Sequence, residues 1–524
     1  MAKKVKEQKP IEQTVWDAAN KLRGKVEPAE YKHVVLSMIF LKYANDRFDA
    51  HREHMIAAGQ QAFLEMMPFY EKDNVFYIPE CARWDFIMKN AKQPDIAIKI
   101  DTALHEIEMK NNKALAGALP DNYYSRLHMD PTGLSSLLDL INGVKLHVNG
   151  DKDVFGRVYE YCLRKFALSE GKGKGEFYTP RTVVALLCEL IEPYCGKVYD
   201  GACGSGGMFV QSMRFVDEHK GNRLNVTIYG QELTDTTRRL AKMNLAIRGI
   251  SANLGAEAAN TFLNDQHKDL KVDFSLENPP FNQKDWREAN QLNDDPRWNG
   301  YPTPPTSNAN YGWLLNTLSK LGQDGVGVVI LANGALSSGG DEYEIRKRLI
   351  ENDVVEAIIV LPNRLFYTTD ISVTVWMLNK NKHAKIENRP DGEVRFRERS
   401  GEILFMDLRQ MGHPFEKKYV EFTDEDREII ITRFKSWRFA DYSTKYQNIP
   451  EFCYSAPKDE IINKDYNLVP SKYIKFNKKS GDGEDDKKSL GDSYKELMQL
   501  FEEEEILKVQ TKRILEDLVY ETNA

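Results

Sequence analysis

The chain has 524 residues, 41% hydrophobic and 29% charged, which suits a soluble globular protein of two to four domains around a large core. Its net charge of −7, from 72 basic and 79 acidic residues, excludes a protein that grips nucleic acid unaided through an overall basic excess, so such a contact needs basic residues gathered on one face or a partner. Six scattered cysteines without a C-x2-C pair argue against a zinc site and a disulfide framework, and no apolar run reaches the ~18 residues of a membrane span or follows the basic start as a signal would, so a cytoplasmic protein is expected.

Residues 1–150 are expected to form a helical N-terminal domain. Trp16, Ala19 and Leu22, then Val34, Val35, Met38, Ile39, Leu41 and Tyr43, recur at helical spacing. Ile98, Leu104 and Ile107 do so within 95–115. This region also holds Pro94-Asp95 and Glu108-Met-Lys110, which formally fit the P-D…E-x-K pattern of metal-dependent nucleases. That site needs its carboxylates on adjoining strands, and the helical period here argues against it. The lone histidines His33, His105 and His413 have no partners at ligand spacing, so no metal site is expected.

From about residue 155 the pattern changes to strand–loop–helix alternation. Apolar runs at Lys197–Tyr199, Val226–Tyr229, Val272–Leu276, Val326–Leu331, Val354–Leu361 and Ser372–Leu378 are separated by helical patterns. This predicts an α/β domain with a mostly parallel sheet over 151–474. Residues 475–492, KFNKKSGDGEDDKKSLGD, read as a linker, and 493–524 as a C-terminal helix. There Leu500, Leu507 and Ile514 recur every seven residues with Leu497 and Leu518 offset, interrupted by Glu504 and Thr511. A partner-binding coiled coil and a helix folded back on its own domain both fit.

Four stretches carry chemistry. In Gly171-Lys-Gly-Lys-Gly-Glu-Phe-Tyr-Thr-Pro-Arg181, Thr179 is placed as an N-cap and Pro180 as the first helical residue. In Val198-Tyr-Asp-Gly-Ala-Cys-Gly-Ser-Gly-Gly-Met-Phe-Val210 a strand ends at Asp200, and glycines 204, 206 and 207 turn the chain into a helix over 208–215. Such a turn lies at the carboxyl end of a strand, where α/β sheets bind ligands, although a plain tight turn has the same look. Its spacing is neither G-x-G-x-x-G nor a Walker loop. In Thr227-Ile-Tyr-Gly-Gln-Glu232 a second strand ends in an acid, the usual holder of ribose hydroxyls. In Val272-Asp-Phe-Ser-Leu-Glu-Asn-Pro-Pro-Phe-Asn282 a third strand stops at Asn278, where two prolines remove two donors and fix two φ angles. The result is a stiff loop presenting an amide, with the aromatic ring of Phe281 close behind.

The set G-E-F-Y-T-P, D-x-A-C-G-S-G-G, an acid after the next strand and N-P-P-F resembles the amino-methyltransferases that make N6-methyladenine. More narrowly it resembles the modification subunit of type I restriction–modification systems, over nearly the whole chain. Gln13–Gly24, Glu30–Leu36, Leu361–Ile371 and Asp465–Leu468 carry the narrower likeness. The resemblance implies a Rossmann-like methyltransferase domain with a mostly parallel seven-stranded sheet, S-adenosylmethionine as methyl donor and double-stranded DNA as substrate. It also implies assembly of two copies of this chain with one specificity subunit, and a separate restriction subunit for cleavage.

Carried onto this sequence, the resemblance puts Phe177, Tyr178, Thr179 and Pro180 beside the methionine end of the cofactor, with Glu176 and Arg181 also among its binding residues. Asp200, Ala202, Gly204, Ser205, Gly206 and Gly207 would wrap its carboxylate and sugar, Glu232 its ribose, and Asn260 its adenine. Asn278, Pro279, Pro280 and Phe281 would form the catalytic loop. Three positions depart from the pattern: Gly201 where Pro is usual, Asn260 where Asp is common, and Glu277 where an apolar residue is usual. The implied chemistry is physically sensible. Adenine's exocyclic amine is a poor nucleophile because its lone pair is delocalised. The Asn278 amide oxygen and the Pro279 carbonyl can accept both amine hydrogens and favour a tetrahedral nitrogen. The base must first flip out of the duplex, and Phe281 would stack on it. Two other readings fit the same motifs: a methyltransferase acting on protein glutamine side chains, whose amide nitrogen poses the same problem, and a non-catalytic scaffold that only binds the cofactor.

Overall fold

The apolar strands of the second half assemble into one sheet whose alternate residues serve two cores. The computed structural model describes residues 11–20, 28–127, 131–144, 154–170, 179–367, 370–416, 418–476 and parts of 494–512. Seven strands are β1 Gly196–Asp200, β2 Val226–Gly230, β3 Ala252–Asn253, β4 Val272–Glu277, β5 Leu321–Ala332, β6 Val355–Val360 and β7 Val373–Asn379. They lie in the order β3-β2-β1-β4-β5-β7-β6. All neighbours are parallel except β7, which runs antiparallel between β5 and β6.

The expected seven strands are not the whole sheet. Glu402–Asp407 joins parallel to β6, and Cys453–Pro457 closes that edge antiparallel, giving nine strands. Period-2 alternation does the sorting. Val328, Ile330, Ala357, Ile359, Val375 and Met377 face a core covered by helices Arg181–Ile191, Gly207–Glu218 and Asp424–Arg438. Val329, Leu331, Ile358, Val360, Trp376 and Leu378 face another, covered by helices Asn310–Lys320 and Asp341–Glu351. Strands buried on both faces explain why these runs read as continuously apolar.

The N-terminal region is helical, as its periodicity predicts. Helix Pro28–Ala57 is buried all round between residues 34 and 41 except for packing with its neighbours, and helices Ile96–Lys110, Pro131–Asn142 and Val154–Glu170 share its core. Leu240, Met243 and Ile247, from helix Asp235–Ile247 of the sheet region, complete that core. Residues 1–474 form one compact unit and 475–524 a second. In the second, the described residues between Tyr494 and Lys512 are helical, with Leu497, Leu500 and Leu507 exposed. Ile514, Leu518 and nearly all of the predicted linker lie outside the described residues.

The nuclease-like residues fall on one helix and its lead-in. Asp95 pairs with Lys99, and the Glu108 carboxylate accepts the backbone N–H groups of Gly117 and Leu119, both at 2.9 Å. Among the described residues no group of three or more His, Cys, Asp or Glu is placed to hold a metal ion.

Candidate active site

Because β4, β1 and β2 are parallel neighbours, their carboxyl ends open on the same edge. The register Val198↔Phe274 and Asp200↔Gly230 puts the Asp200 turn between the Asn278 loop and Glu232. The three motifs, up to 78 residues apart in sequence from Asp200 to Asn278, therefore meet around one cleft of about 170 Å³. Ala202, Gly204, Glu232, Asn260, Asn278 and Pro280, all among the candidate site residues, line it. Leu233, Phe262, Gln283 and Trp313 line it as well.

The cofactor turn is held by its own acids. Asp200 Oδ1 accepts the Ala202 N–H at 2.9 Å, and Glu232 Oε2 accepts the Gly204 N–H at 3.1 Å. Glu232 Oε1 accepts the Thr234 N–H at 3.0 Å, so this carboxylate ties the end of β2 to the glycine turn. Gly204 and Gly206 have φ of +54° and +79°, the left-handed region that glycine adopts without penalty. Gly206 then starts helix Gly207–Glu218. Asn260 Oδ1 accepts the N–H groups of Phe262 and Leu263, at 2.9 and 3.2 Å. What Asn260 has to offer a ligand is therefore its Nδ2 donor.

The Asn278 loop is fixed from two sides. Asn278 is buried, and its Nδ2 donates to Thr179 Oγ1 at 2.7 Å. That bond sets the amide orientation, and among the described residues Oδ1 is left buried with no partner. Here the expected cap at Thr179 is corrected. Helix Arg181–Ile191 begins after Pro180 with no side-chain cap, and its first N–H groups use the Pro180 carbonyl. The threonine hydroxyl is engaged by the catalytic amide instead.

Beyond the prolines, Asn282 takes a left-handed φ of +51°. Its N–H donates to Asn310 Oδ1 at 3.1 Å, and Asn310 Nδ2 returns a bond to Asn282 Oδ1 at 2.9 Å. Phe281 is half-buried and meets Phe366 edge-on, with ring centroids 6.3 Å apart.

Not every predicted residue reaches the cleft. Glu176, Phe177 and Tyr178 lie outside the described residues. Arg181 lines a different cavity of about 550 Å³, bounded by helices Ile11–Asn20, Val154–Glu170, Arg181–Ile191 and Gly207–Glu218. Asp200, Ser205, Gly206 and Gly207 shape the turn from behind; Ser205, for example, gives its carbonyl to Asn244 Nδ2 at 2.8 Å. Sequence reading passed over Asn310 and Trp313. Trp313 is buried among Phe262 and its neighbours, with its indole N–H unpartnered at the cleft. An aromatic at the start of an apolar helix carries no signal that separates it from core.

Glu277 is the other surprise. It is fully buried, and its Oε1 accepts the hydroxyls of Ser275 and Thr317, both at 2.8 Å. Among the described residues no cation touches it, and burial pushes its carboxyl up to about 7. Burial, reinforced by the charge of Glu277, also holds Asp200 well above the usual carboxylate range. The unusual Gly201 lies against this carboxyl. A Cβ there would stand 3.0 Å from the Tyr199 hydroxyl and 3.3 Å from Glu277 Oε2. The two departures from the family pattern are thus one local rearrangement.

Comparison with known proteins decides what this edge is for. The family profile described as N-6 DNA Methylase matches residues 150–482, and the HsdM N-terminal domain profile matches 11–142. The chain belongs to the N-6 DNA methylase family. The methylase is 38% identical to the type I restriction enzyme HindI methylase subunit of Haemophilus influenzae, over 85% of this chain and 100% of that one. It is 34% identical to the MjaIX methylase subunit of Methanocaldococcus jannaschii, over 97% and 91%. In fold it superposes on the crystal structure of a type I restriction–modification methyltransferase subunit from Streptococcus thermophilus. That match has a TM-score of 0.71 and 23% identity, covering 88% of this chain and 99% of the other.

S-adenosylmethionine is the methylase's methyl donor, and the residues present fit it. The glycine turn exposes backbone to the cleft, and Glu232 stands just beyond the end of β2.

Proposed function

We propose that this methylase is the modification subunit of a type I restriction–modification assembly, acting in the cytoplasm on adenine N6, with Asn278 and Pro279 as the groups that activate the amine. The observation that carries the residue assignment is the Asn278 amide, oriented by Thr179 and left with a buried, unpartnered oxygen. Such an atom is costly unless a ligand donor completes it, by about 1–3 kcal/mol. An extruded adenine amine supplies that donor.

Asn278 Oδ1 accepts one N6 hydrogen and the Pro279 carbonyl the other. With both hydrogens directed into the loop, the nitrogen lone pair turns toward the cleft. The cofactor supplies an electrophilic methyl group there. The amine proton becomes acidic only after transfer, and the two acceptor oxygens hold it until water takes it. Pro279 and Pro280 keep the carbonyl rigid, and the edge of Phe366 braces Phe281 for stacking on the base. At the cofactor, Glu232 holds the ribose hydroxyls while it anchors the glycine turn. Asn260 donates Nδ2 to an acceptor nitrogen of the cofactor adenine, where an aspartate would accept from its amine.

Net charge −7 and relatives named as subunits support a separate specificity chain that selects the DNA sequence, with two copies of this chain around it and a restriction subunit for cleavage. Among the described residues no helix is long and apolar enough to cross a membrane, and every cysteine is free, which supports the cytoplasm. The test is tritium transfer from labelled S-adenosylmethionine to unmethylated DNA, with and without the specificity chain. Label in N6-methyladenine is expected only with the partner. Asn278→Ala should lower the rate at least about 100- to 1,000-fold while cofactor binding persists. Retained transfer would remove Asn278 from the mechanism.

A further inference from the structure

The carboxyl of Glu277 has no task in that mechanism, yet it is packed directly behind Gly201, a residue that lines the cleft. Its Oε1 is fixed by Ser275 and Thr317, and its Oε2 has no partner. That free oxygen faces the backbone of Gly201, beside the equally unpartnered Tyr199 hydroxyl. Asp200, 2% exposed, adjoins it, so two buried carboxyls flank the turn at residues 200–202.

The charged and titratable groups around Glu277 are few. β1 gives Tyr199 and Asp200, helix Asn310–Lys320 gives Lys320, and the segment before β4 gives Asp265 and His267. Glu232 faces Asp200 from the end of β2. Lys320, the cation of this group, is committed to Asp265 at 2.6 Å and to the His267 carbonyl at 2.5 Å. His267 uses its Nε2 on the Gly230 carbonyl at 2.8 Å. Among the described residues, then, neither Glu277 nor Asp200 is held in an ion pair.

We propose that Glu277 is a charge sensor for the cofactor, holding a proton on its buried carboxyl until the positive sulfonium of S-adenosylmethionine enters the cleft and then releasing it. The inference rests on the reading of this cleft as the cofactor site. The balance is simple: the carboxyl O–H bond breaks, the proton leaves to bulk solvent, and the wall gains one negative charge as the ligand brings one positive charge. An opposite charge nearby favours the ionised carboxyl. S-adenosylhomocysteine, with a neutral thioether, gives no such inducement. After methyl transfer the carboxyl takes a proton back, and the site loses its preference for the ligand it now holds. Burial already lifts the Glu277 carboxyl to about 7, which places the switch in the neutral range.

The test uses the full chain, titrated calorimetrically with S-adenosylmethionine and with S-adenosylhomocysteine in buffers of different ionisation enthalpy, from pH 6 to 8. The protons released per ligand are the readout. Near pH 7 the methyl donor should release roughly half a proton more than the product, since a group at its pKa is half protonated. Its affinity relative to the product should rise with pH, up to about tenfold over this range. Glu277→Gln should erase the difference. Thr317→Val, which removes a hydroxyl that stabilises the carboxylate, should move the pH of greatest release upward and keeps the test alive should the glutamine variant not fold.

Equal proton release by the two ligands, a difference that survives Glu277→Gln, or an unmoved pH in Thr317→Val overturns the proposal. Failure of the site reading looks different: Glu232→Ala would then leave both affinities unchanged, whereas a true cofactor site loses affinity for both.

Discussion

Glu277 and Glu356 are glutamates of the same sheet, both 0% exposed, and their environments push them in opposite directions. Glu356, on β6, receives Arg399 Nε at 3.0 Å and Asn379 Nδ2 at 2.9 Å, with Arg438 Nε at 3.8 Å. Burial opposes its charge, but the two arginines outweigh burial and hold the carboxyl below its ordinary value. Glu277, on β4, has hydroxyls only, and burial wins. Distance from the cleft explains the difference. At the far end of the sheet a buried charge must be paired to be tolerated, and pairing fixes the packing of the added strand Glu402–Asp407 against its neighbours. At the edge where β1, β2 and β4 end, Glu277 is held by two hydroxyls, and the proposed switch makes use of its under-paired charge.

The largest effect is expected where the pairing is complete. Arg399→Met leaves Glu356 short of its nearest cation, and breaking a buried pair in this way costs about 3–5 kcal/mol. Denaturant unfolding at pH 7.5 measures it, and a loss below about 1 kcal/mol would mean that Glu356 is not carried as a paired ion.

The pH dependence of stability comes next, and it has opposite sign for the two acids. The raised Glu277 carboxyl keeps its proton in the folded chain while the unfolded chain has lost it. Stability therefore falls as pH rises from about 4.5 to about 7 and levels off above, by at most about 3 kcal/mol. Glu356, lowered by folding, instead contributes stability above its unfolded value that is lost as pH falls through its folded one. Glu277→Gln should flatten the slope between pH 5 and 7.5 and leave the acid limb intact. The share of Asp200 that burial causes stays in the variant, while the part it owes to the Glu277 charge is lost.

A smaller effect is expected at Thr179. Thr179→Val removes the acceptor that orients the Asn278 amide, so kcat should fall roughly tenfold, about one hydrogen bond's worth, with cofactor affinity unchanged. A change in cofactor affinity instead would place Thr179 on the cofactor.

These cases also show what was readable in advance. The strands, the glycine turn, the acid at Glu232 and the Asn-Pro-Pro-Phe loop are local signals, because Gly, Pro and period-2 alternation dictate backbone geometry within a few residues. The partners are not local. Thr179 looks like a helix cap in its own segment, and only the approach of Asn278, 99 residues later, shows its use. Asn310 braces Asn282 across 28 residues, and nothing in either segment announces it. Glu402–Asp407 and Cys453–Pro457 escaped notice because short strands among charged residues stand out only once β6 offers them an edge. Glu277 was visible as an anomaly, but its meaning needed Gly201, Thr317 and Asp265 placed around it.

The smallest expected effect examines that placement most directly. Gly201→Ala puts a methyl group 3.0 Å from the Tyr199 hydroxyl and 3.3 Å from Glu277 Oε2, so both groups must shift by a few tenths of an ångström. Overpacking of this degree costs about 1 kcal/mol. Tyr199→Phe removes the closer of the two atoms, so Gly201→Ala should be milder in that background, with a coupling of at least about 0.5 kcal/mol between the two sites. Gly334→Ala is the control, since a Cβ there meets nothing within 4 Å. If the double-mutant cycle shows no coupling, the space at Gly201 is not reserved for the hydroxyl. The Glu277 carboxyl or the Thr261 methyl, each 3.3 Å from that Cβ, would then exclude a side chain from the turn, and the strain should instead disappear in Glu277→Ala or Thr261→Ser.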